Sequence, residues 1–139
     1  MYSLLRLRRA YIGVQNTDGV VELIEVLRKY RVELSATAET FNLLRRSGFP
    51  IRLLDCIDRV AVGPYEMLVI NGPLRESSFV WSVLKNPESV VLTDVVDYSR
   101  VCRELEGYMG RLSRSLREEL AQKARRQYDE VSTEKYLFG

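Results

Sequence analysis

The chain of 139 residues contains no histidine. That absence removes the His-based catalytic triad, the imidazole general base and every metal site with a His ligand. Cysteine is nearly missing too. Cys56 and Cys102 lie far apart, form no C-x-x-C pair, and two thiols alone do not make a zinc site. Their ordinary role is that of small buried side chains. A disulfide between them is the alternative, more acceptable in a hyperthermophile. Lysine is scarce, 4 against 17 arginines, a bias that a GC-rich genome explains. With three glutamines and four asparagines besides, the composition points to a thermophilic source. No apolar run approaches the ~20 residues needed to span a membrane. Met1 to Arg9 carries three arginines but neither the apolar stretch nor the cleavage pattern of a signal peptide, so the expected location is the cytoplasm. The net charge of +2 is too small to argue for nucleic acid.

What is present is ordinary for a soluble globular protein: 46% hydrophobic and 29% charged residues. The length fits a single domain spanning 1–139. Ala10 to Val14 reads as a strand running into the turn Gln15-Asn16-Thr17-Asp18-Gly19. Val20, Leu23, Ile24 and Leu27 recur at helical spacing, ending near Tyr30. Val32 to Ala36 is a second strand. Thr40 to Ser47 is a helix with Phe41, Leu43 and Leu44 inward and Gly48 at its end. Pro50 to Leu54, Met67 to Ile70 and Ser89 to Thr93 are further strands, with an extended piece at Val60 to Val62 and a helix over Ser77 to Lys85. Asp97 can cap a helix reaching Gly107. Ser115 and Glu118 have capping-box spacing for a long last helix whose apolar positions include Leu116, Leu120, Ala124, Tyr128 and Val131.

Strands alternate with helices, and the strands are apolar on both faces. The expected class is α/β, a three-layer sandwich whose mainly parallel sheet has helices on both faces. Ligands of such sheets bind beyond the carboxyl ends of the strands. The loops Gln15 to Gly19, Thr37 to Thr40 and Asn71 to Pro73 all follow strands and form the candidate site. In the second, V-E-L-S-A-T-A-E-T-F-N-L-L-R-R places two threonines where a strand enters a helix. Hydroxyls and amides meet there at a helix N-terminus that favours an anion, although Glu39 adds a negative charge.

The order of motifs resembles the IMP cyclohydrolase domain of the bifunctional purine-biosynthesis family that also carries AICAR formyltransferase, a methylglyoxal-synthase-like fold. Ala10 to Tyr30 is similar to that family's opening strand, V-S-D-K-T-G turn and first helix. Val32 to Pro50 is similar to the stretch around its L-S-T-G-G-T loop, and Met67 to Asn71 to its L-V-V-V-N strand. Lys85-Asn86, Val90 to Leu92 and Asp97-Tyr98-Ser99-Arg100-Val101 match its K-N helix end, next strand and D-Y-x-x-V. Tyr128-Asp129-Glu130-Val131 with Tyr136-Leu137 match its closing helix. The resemblance implies closure of 5-formamidoimidazole-4-carboxamide ribotide to IMP, without cofactor or metal. The carboxamide nitrogen attacks the formyl carbon and water leaves, so the site needs a phosphate cradle and a group that stabilises oxygen charge.

Carried over position by position, Lys85 is the catalytic residue. Asn16, Gly19, Thr37, Thr40, Asn71 and Asn86 are the substrate-binding set. The family's glycines stand here as Ala38 and Glu39, its first-turn lysine as Thr17, and its K-T-L-H-P segment has no room in Asp55 to Glu66. Each residue has a plainer role beside this one. Lys85 suits a helix C-terminus, Thr37 suits a helix cap with Thr40 in the first turn, and Gly72-Pro73 is a turn. Tyr65 is read as a rim or core tyrosine. Arg6, Arg8 and Arg9, with Lys123, Arg125 and Arg126, form a basic cluster. A solvated surface is its default reading and nucleic acid the alternative. Two functions are open: a stand-alone cyclohydrolase with a purine ribonucleotide ligand, or a catalytically degenerate relative that binds a formyltransferase, another protein or a ribonucleoprotein. The last helix could pack on its own sheet or make a homodimer.

Overall fold

In the computed structural model, residues 4–14, 16, 18–53, 66–71 and 89–138 are described, with side chains to residue 127 apart from that of Asn71. Short runs of Val, Ile, Leu and Ala supply the strands β2 (Arg9–Val14), β3 (Glu33–Ala36), β4 (Ile51–Leu53), β5 (Met67–Asn71) and β6 (Val90–Leu92). They form a sheet in the order β4-β3-β2-β5-β6, and every pairing is parallel. All the carboxyl ends therefore lie along one edge of the sheet. β1 (Leu4–Arg6) and β7 (Arg111–Ser113) form a separate antiparallel ribbon with Leu5 opposite Leu112. The sequence pattern did not suggest this ribbon, because three-residue strands carry too little periodicity.

The register aligns Ala10, Leu34, Met67 and Val90, and one pleat on it aligns Ile12, Ala36, Val69 and Leu92. Side chains two apart share a face, and these residues join Val20, Leu23, Ile24 and Leu27 of α1 (Val20–Lys29) in one buried cluster. The helix α3 (Tyr98–Gly107) packs on α1 through Val101 and Leu105, and α4 (Arg114–Phe138) lies on β6 through Leu116 and Leu120. On the opposite face Tyr11, Ser35, Leu68 and Val91 are buried as well. Burial on both faces is why the strands are continuously apolar rather than alternating. The architecture is the three-layer α/β sandwich.

Several local expectations change. The helix read over Thr40 to Ser47 is α2 (Ala38–Leu44) followed by a 3-10 turn (Arg45–Ser47), which ends at Gly48 with φ of 73°. Thr40 and Leu44 hold α2 to the sheet, so Leu43, turned about 100° away on the helix, is 49% exposed and Phe41 is only half-buried. Asp97 does not cap α3. Asp94 caps the preceding 3-10 turn (Val95–Asp97) by accepting from the Val96 N–H at 3.1 Å, which leaves the Asp97 carboxylate for a distant lysine. Ser113, not Ser115, starts α4, accepting from the Leu116 N–H at 3.3 Å. The Glu104 carboxylate fixes Ser113 in turn, taking bonds from its N–H and its hydroxyl. The helix read over Ser77 to Lys85, the extended piece at Val60 to Val62, Cys56, Tyr65 and the side chains of Tyr128 and Val131 lie outside the described residues.

Candidate functional site

The registers Ile12 to Ala36 and Val14 to Asn71 bring the ends of β2, β3 and β5 level. The loops leaving these strands therefore meet at one edge. After β2, the exposed Asn16 accepts from the Asp18 N–H at 2.9 Å, an Asx turn that aims the chain into α1. The turn closes at Gly19, in the left-handed conformation with φ of 73°. A Cβ there would sit 2.9 Å from Val95 Cγ2 and 3.2 Å from Tyr98 Cδ2. The loop after β2 is thus seated against the segment that succeeds β6.

After β3, Thr37 caps α2: its hydroxyl accepts from the Thr40 N–H at 3.2 Å. The Thr40 side chain is wholly buried and does something else. Its hydroxyl accepts from the Val14 N–H at 2.8 Å and from the Thr37 hydroxyl at 2.9 Å, and donates to the Val14 carbonyl at 3.1 Å. That fills the one donor and two acceptor positions a hydroxyl has. Upstream, the Ile12 carbonyl still has a main-chain partner, the Thr37 N–H. At Val14 the chain after β3 has already turned into α2, and the Thr40 hydroxyl substitutes for the missing strand. Glu39 in the first turn is exposed. Asn71 closes β5 directly beside Val14. Lys85, Asn86, Thr17 and the Gly72-Pro73 turn lie outside the described residues.

Beyond β6 the same edge holds a cluster the sequence did not reveal. Lys123 of α4 donates to Asp97 at 2.8 Å and to Asp94 at 3.0 Å. The Val96 N–H and Lys123 hold the Asp94 carboxyl below its ordinary range. Asp97 and Asp94 hold the Lys123 ammonium above its own. Lys123 is therefore a clamp between α4 and the loop after β6, charged at neutral pH and already matched. It does not belong with Arg6, Arg8 and Arg9, which lie at the other end of the sheet. Asp94 could have been found as a cap signal before Val95-Val96. The partner of Asp97, 26 residues on, had no local signal. Among the described residues no group of three or more His, Cys, Asp or Glu could hold a metal ion, and no helix is long and apolar enough to cross a membrane.

A parallel three-layer α/β sandwich with its loops gathered at the carboxyl edge is a class that takes ligands there. No protein-family model matches the chain. A 50-residue stretch is 36% identical to the bifunctional purine biosynthesis protein PurH of Xylella fastidiosa (strain M12). That match covers 36% of this chain and 9% of the relative's length. Among solved structures, the crystal structure of ForH superposes with a TM-score of 0.74 at 19% identity, covering 96% of this chain and 100% of that one. The likeness to PurH is thus local, and the shared fold extends over nearly the whole chain.

Proposed function

We propose that this chain is an IMP cyclohydrolase-like domain of purine biosynthesis. It binds 5-formamidoimidazole-4-carboxamide ribotide at the carboxyl edge of the sheet and closes it to IMP. The gathering of Asn16, Gly19, Thr37 and Asn71 at that edge carries the reading, in a chain whose local match is to PurH. In this scheme the two asparagines and the Gly19 backbone receive the ribotide, and the Thr37 hydroxyl, whose O–H already goes to Thr40, can only accept from a ribose hydroxyl. Thr40, whose hydroxyl is occupied, positions Thr37 and the end of β2 without touching substrate. Lys85, with Asn86 beside it, stabilises negative charge on the formyl oxygen as the carboxamide nitrogen attacks. Ring closure then expels water without a cofactor.

The test is the rate of IMP formation from the formamido ribotide over spontaneous closure. The reading expects an excess rate that Lys85→Ala abolishes, together with IMP binding by calorimetry. A rate equal to the spontaneous one and no heat with IMP would overturn it.

A second reading is favoured by one observation: the Thr40 hydroxyl has no bond left to give, while Glu39 stands where the resembled family has glycine. On this reading the domain is catalytically degenerate and serves as a binding or scaffolding subunit. IMP binding without turnover, and co-elution with a purified AICAR formyltransferase, is the pattern that supports it.

A further inference from the structure

At the amino edge of the sheet, opposite the proposed nucleotide site, lies a groove of about 650 Å³ walled by Arg9, Arg28, Arg31 and Arg52. A second hollow of about 330 Å³ continues it, adding Arg6 and Arg8 and sharing Arg9, Arg31 and Glu33 with the first. The floor is Val32, Leu34 and Ser35, all buried. Among the described lining residues six arginines thus face one glutamate, and Glu33 is already matched by Arg9 at 3.2 Å. Two further described carboxylates near it are also engaged. Glu66 accepts from the Arg9 main-chain N–H at 3.2 Å, and Glu106 takes Lys29 and the Tyr30 hydroxyl at the margin. Arg6, Arg8, Arg28, Arg31 and Arg52 are exposed and have no carboxylate partner among the described residues.

We infer that this strip is a docking surface for the phosphodiester backbone of a nucleic acid, bound without regard to sequence. For a chain of net charge +2, placing six arginines along one edge is a local asymmetry that the total conceals. Arginine presents a planar fork that matches phosphate oxygens two at a time. The β1–β7 ribbon extends the strip. Arg6 stands directly opposite Arg111, which is also exposed. Like charges opposed across two strands destabilise their pairing, and a polyanion lying over them removes that repulsion. An acidic peptide would need apolar anchors in pockets to bind well, and the apolar side chains of the groove are its buried floor. Three of the arginines have a local explanation, Arg28 and Arg31 at a helix C-terminus and Arg52 on an edge strand. None of these explains why all share one groove with no spare carboxylate among the described residues that line it.

The experiment is fluorescence anisotropy of a labelled single-stranded RNA of mixed sequence, titrated with the full chain at several salt concentrations. Binding should fall with a log–log salt slope of about −4, the value expected when six phosphates are neutralised on a single strand. Arg31→Glu with Arg52→Glu should weaken binding at least tenfold, while Arg126→Glu on α4 leaves it within twofold. Inorganic tripolyphosphate should compete only at large excess. No binding near 100 µM protein at low salt, roughly the weak limit of non-specific association, overturns the inference. So does equal loss with Arg126→Glu, or binding confined to polyglutamate or to anionic vesicles. IMP calorimetry on the Arg31→Glu, Arg52→Glu variant separates this test from the proposed nucleotide site, because those residues lie at the other edge and IMP binding should not change.

Discussion

The two edges of the sheet use polar groups in opposite ways. At the carboxyl edge the threonine hydroxyls and the charges beyond β6 are turned on the protein itself: Thr40 on Val14, Thr37 on Thr40, Asp94 and Asp97 on Lys123, while Asp18 and Glu39 are exposed. At the amino edge five exposed arginines find no carboxylate among the described residues. The described loops of the carboxyl edge are thereby tied to the fold, and the amino edge keeps a positive field that no described carboxylate cancels. Substitutions that break the internal bonds of the first should be read in stability, and substitutions at the second in association with nucleic acid. A variant that violates this division breaks the comparison.

The largest stability effect belongs to Thr40→Val. The isostere keeps the buried volume but leaves the Val14 N–H and carbonyl without their partner. Leaving two buried backbone groups unsatisfied costs about 2–4 kcal/mol. Thr37→Ala, which removes a helix cap, should cost about 1 kcal/mol. Urea denaturation of the pair checks the ranking. Equal losses would mean that Thr40 is only another cap residue, and the strand-substitute role would be withdrawn.

Gly19→Ala comes next. Its φ of 73° disfavours a Cβ, and the new atom would meet Val95 Cγ2 at 2.9 Å. Backbone strain and overpacking together make a loss of about 2–3 kcal/mol. Gly48 has the same φ of 73° but nothing within 4 Å of the added Cβ. Gly48→Ala should therefore lose only the backbone part, about 1 kcal/mol. The gap between the two measures how tightly the loop after β2 is seated against the loop after β6.

A smaller effect is expected from the Lys123 clamp, because Asp94 and Lys123 are both about one third exposed and solvent screens them. The Asp94 pKa is lowered from 3.8, so its contribution is present above that value and is lost as pH falls through the lower folded value. The Lys123 pKa is raised from 10.5, so its contribution is present below that value and is lost as pH rises through the higher folded one. The clamp is intact between these limits. Asp94→Asn should destabilise the protein at neutral pH, and the difference from the parent chain should shrink below pH 3.8. A difference independent of pH would mean that the charge on Asp94 is not what the substitution removes, since asparagine can still accept from the Val96 N–H.

The layered architecture was legible because buried parallel strands must be apolar throughout, as in Ala10 to Val14 and Met67 to Ile70. α1 was legible because Val20, Leu23, Ile24 and Leu27 fall on one helical stripe. Thr37 as a cap was also readable, since the bond spans three residues. The inward bond of Thr40 was not, because Val14 is 26 positions away and only the β2–β3 register brings it near. The same distance hid the pairing of Asp97 with Lys123, and made Asp97 look like the cap that Asp94 supplies. In the arginine groove, Arg9, Arg28, Arg31 and Arg52 come from separate places in the chain. Sequence grouped Arg6, Arg8 and Arg9 with Lys123 by type, and the fold regroups them by edge.

The smallest stability effect, and the sharpest use of the comparison, is at Arg31. It lies just past the C-terminus of α1 at φ of 61°, with its N–H donating to the Arg28 carbonyl and the Val32 N–H to that of Leu27. Glycine is the usual residue at such a helix end. A side chain there carries strain of about 1 kcal/mol, offset by the smaller backbone entropy that arginine loses on folding. Arg31→Gly should therefore leave stability unchanged or raise it by up to about 1 kcal/mol. It should also lower RNA affinity severalfold and flatten the salt slope by about 0.7, the share of one phosphate contact on a single strand. Arginine would then occupy a position better suited to glycine for what it does outside the fold. If Arg31→Gly gains stability and loses no affinity, the strip is ordinary solvated surface, and the asymmetry between the edges reflects only where the fold required its internal bonds.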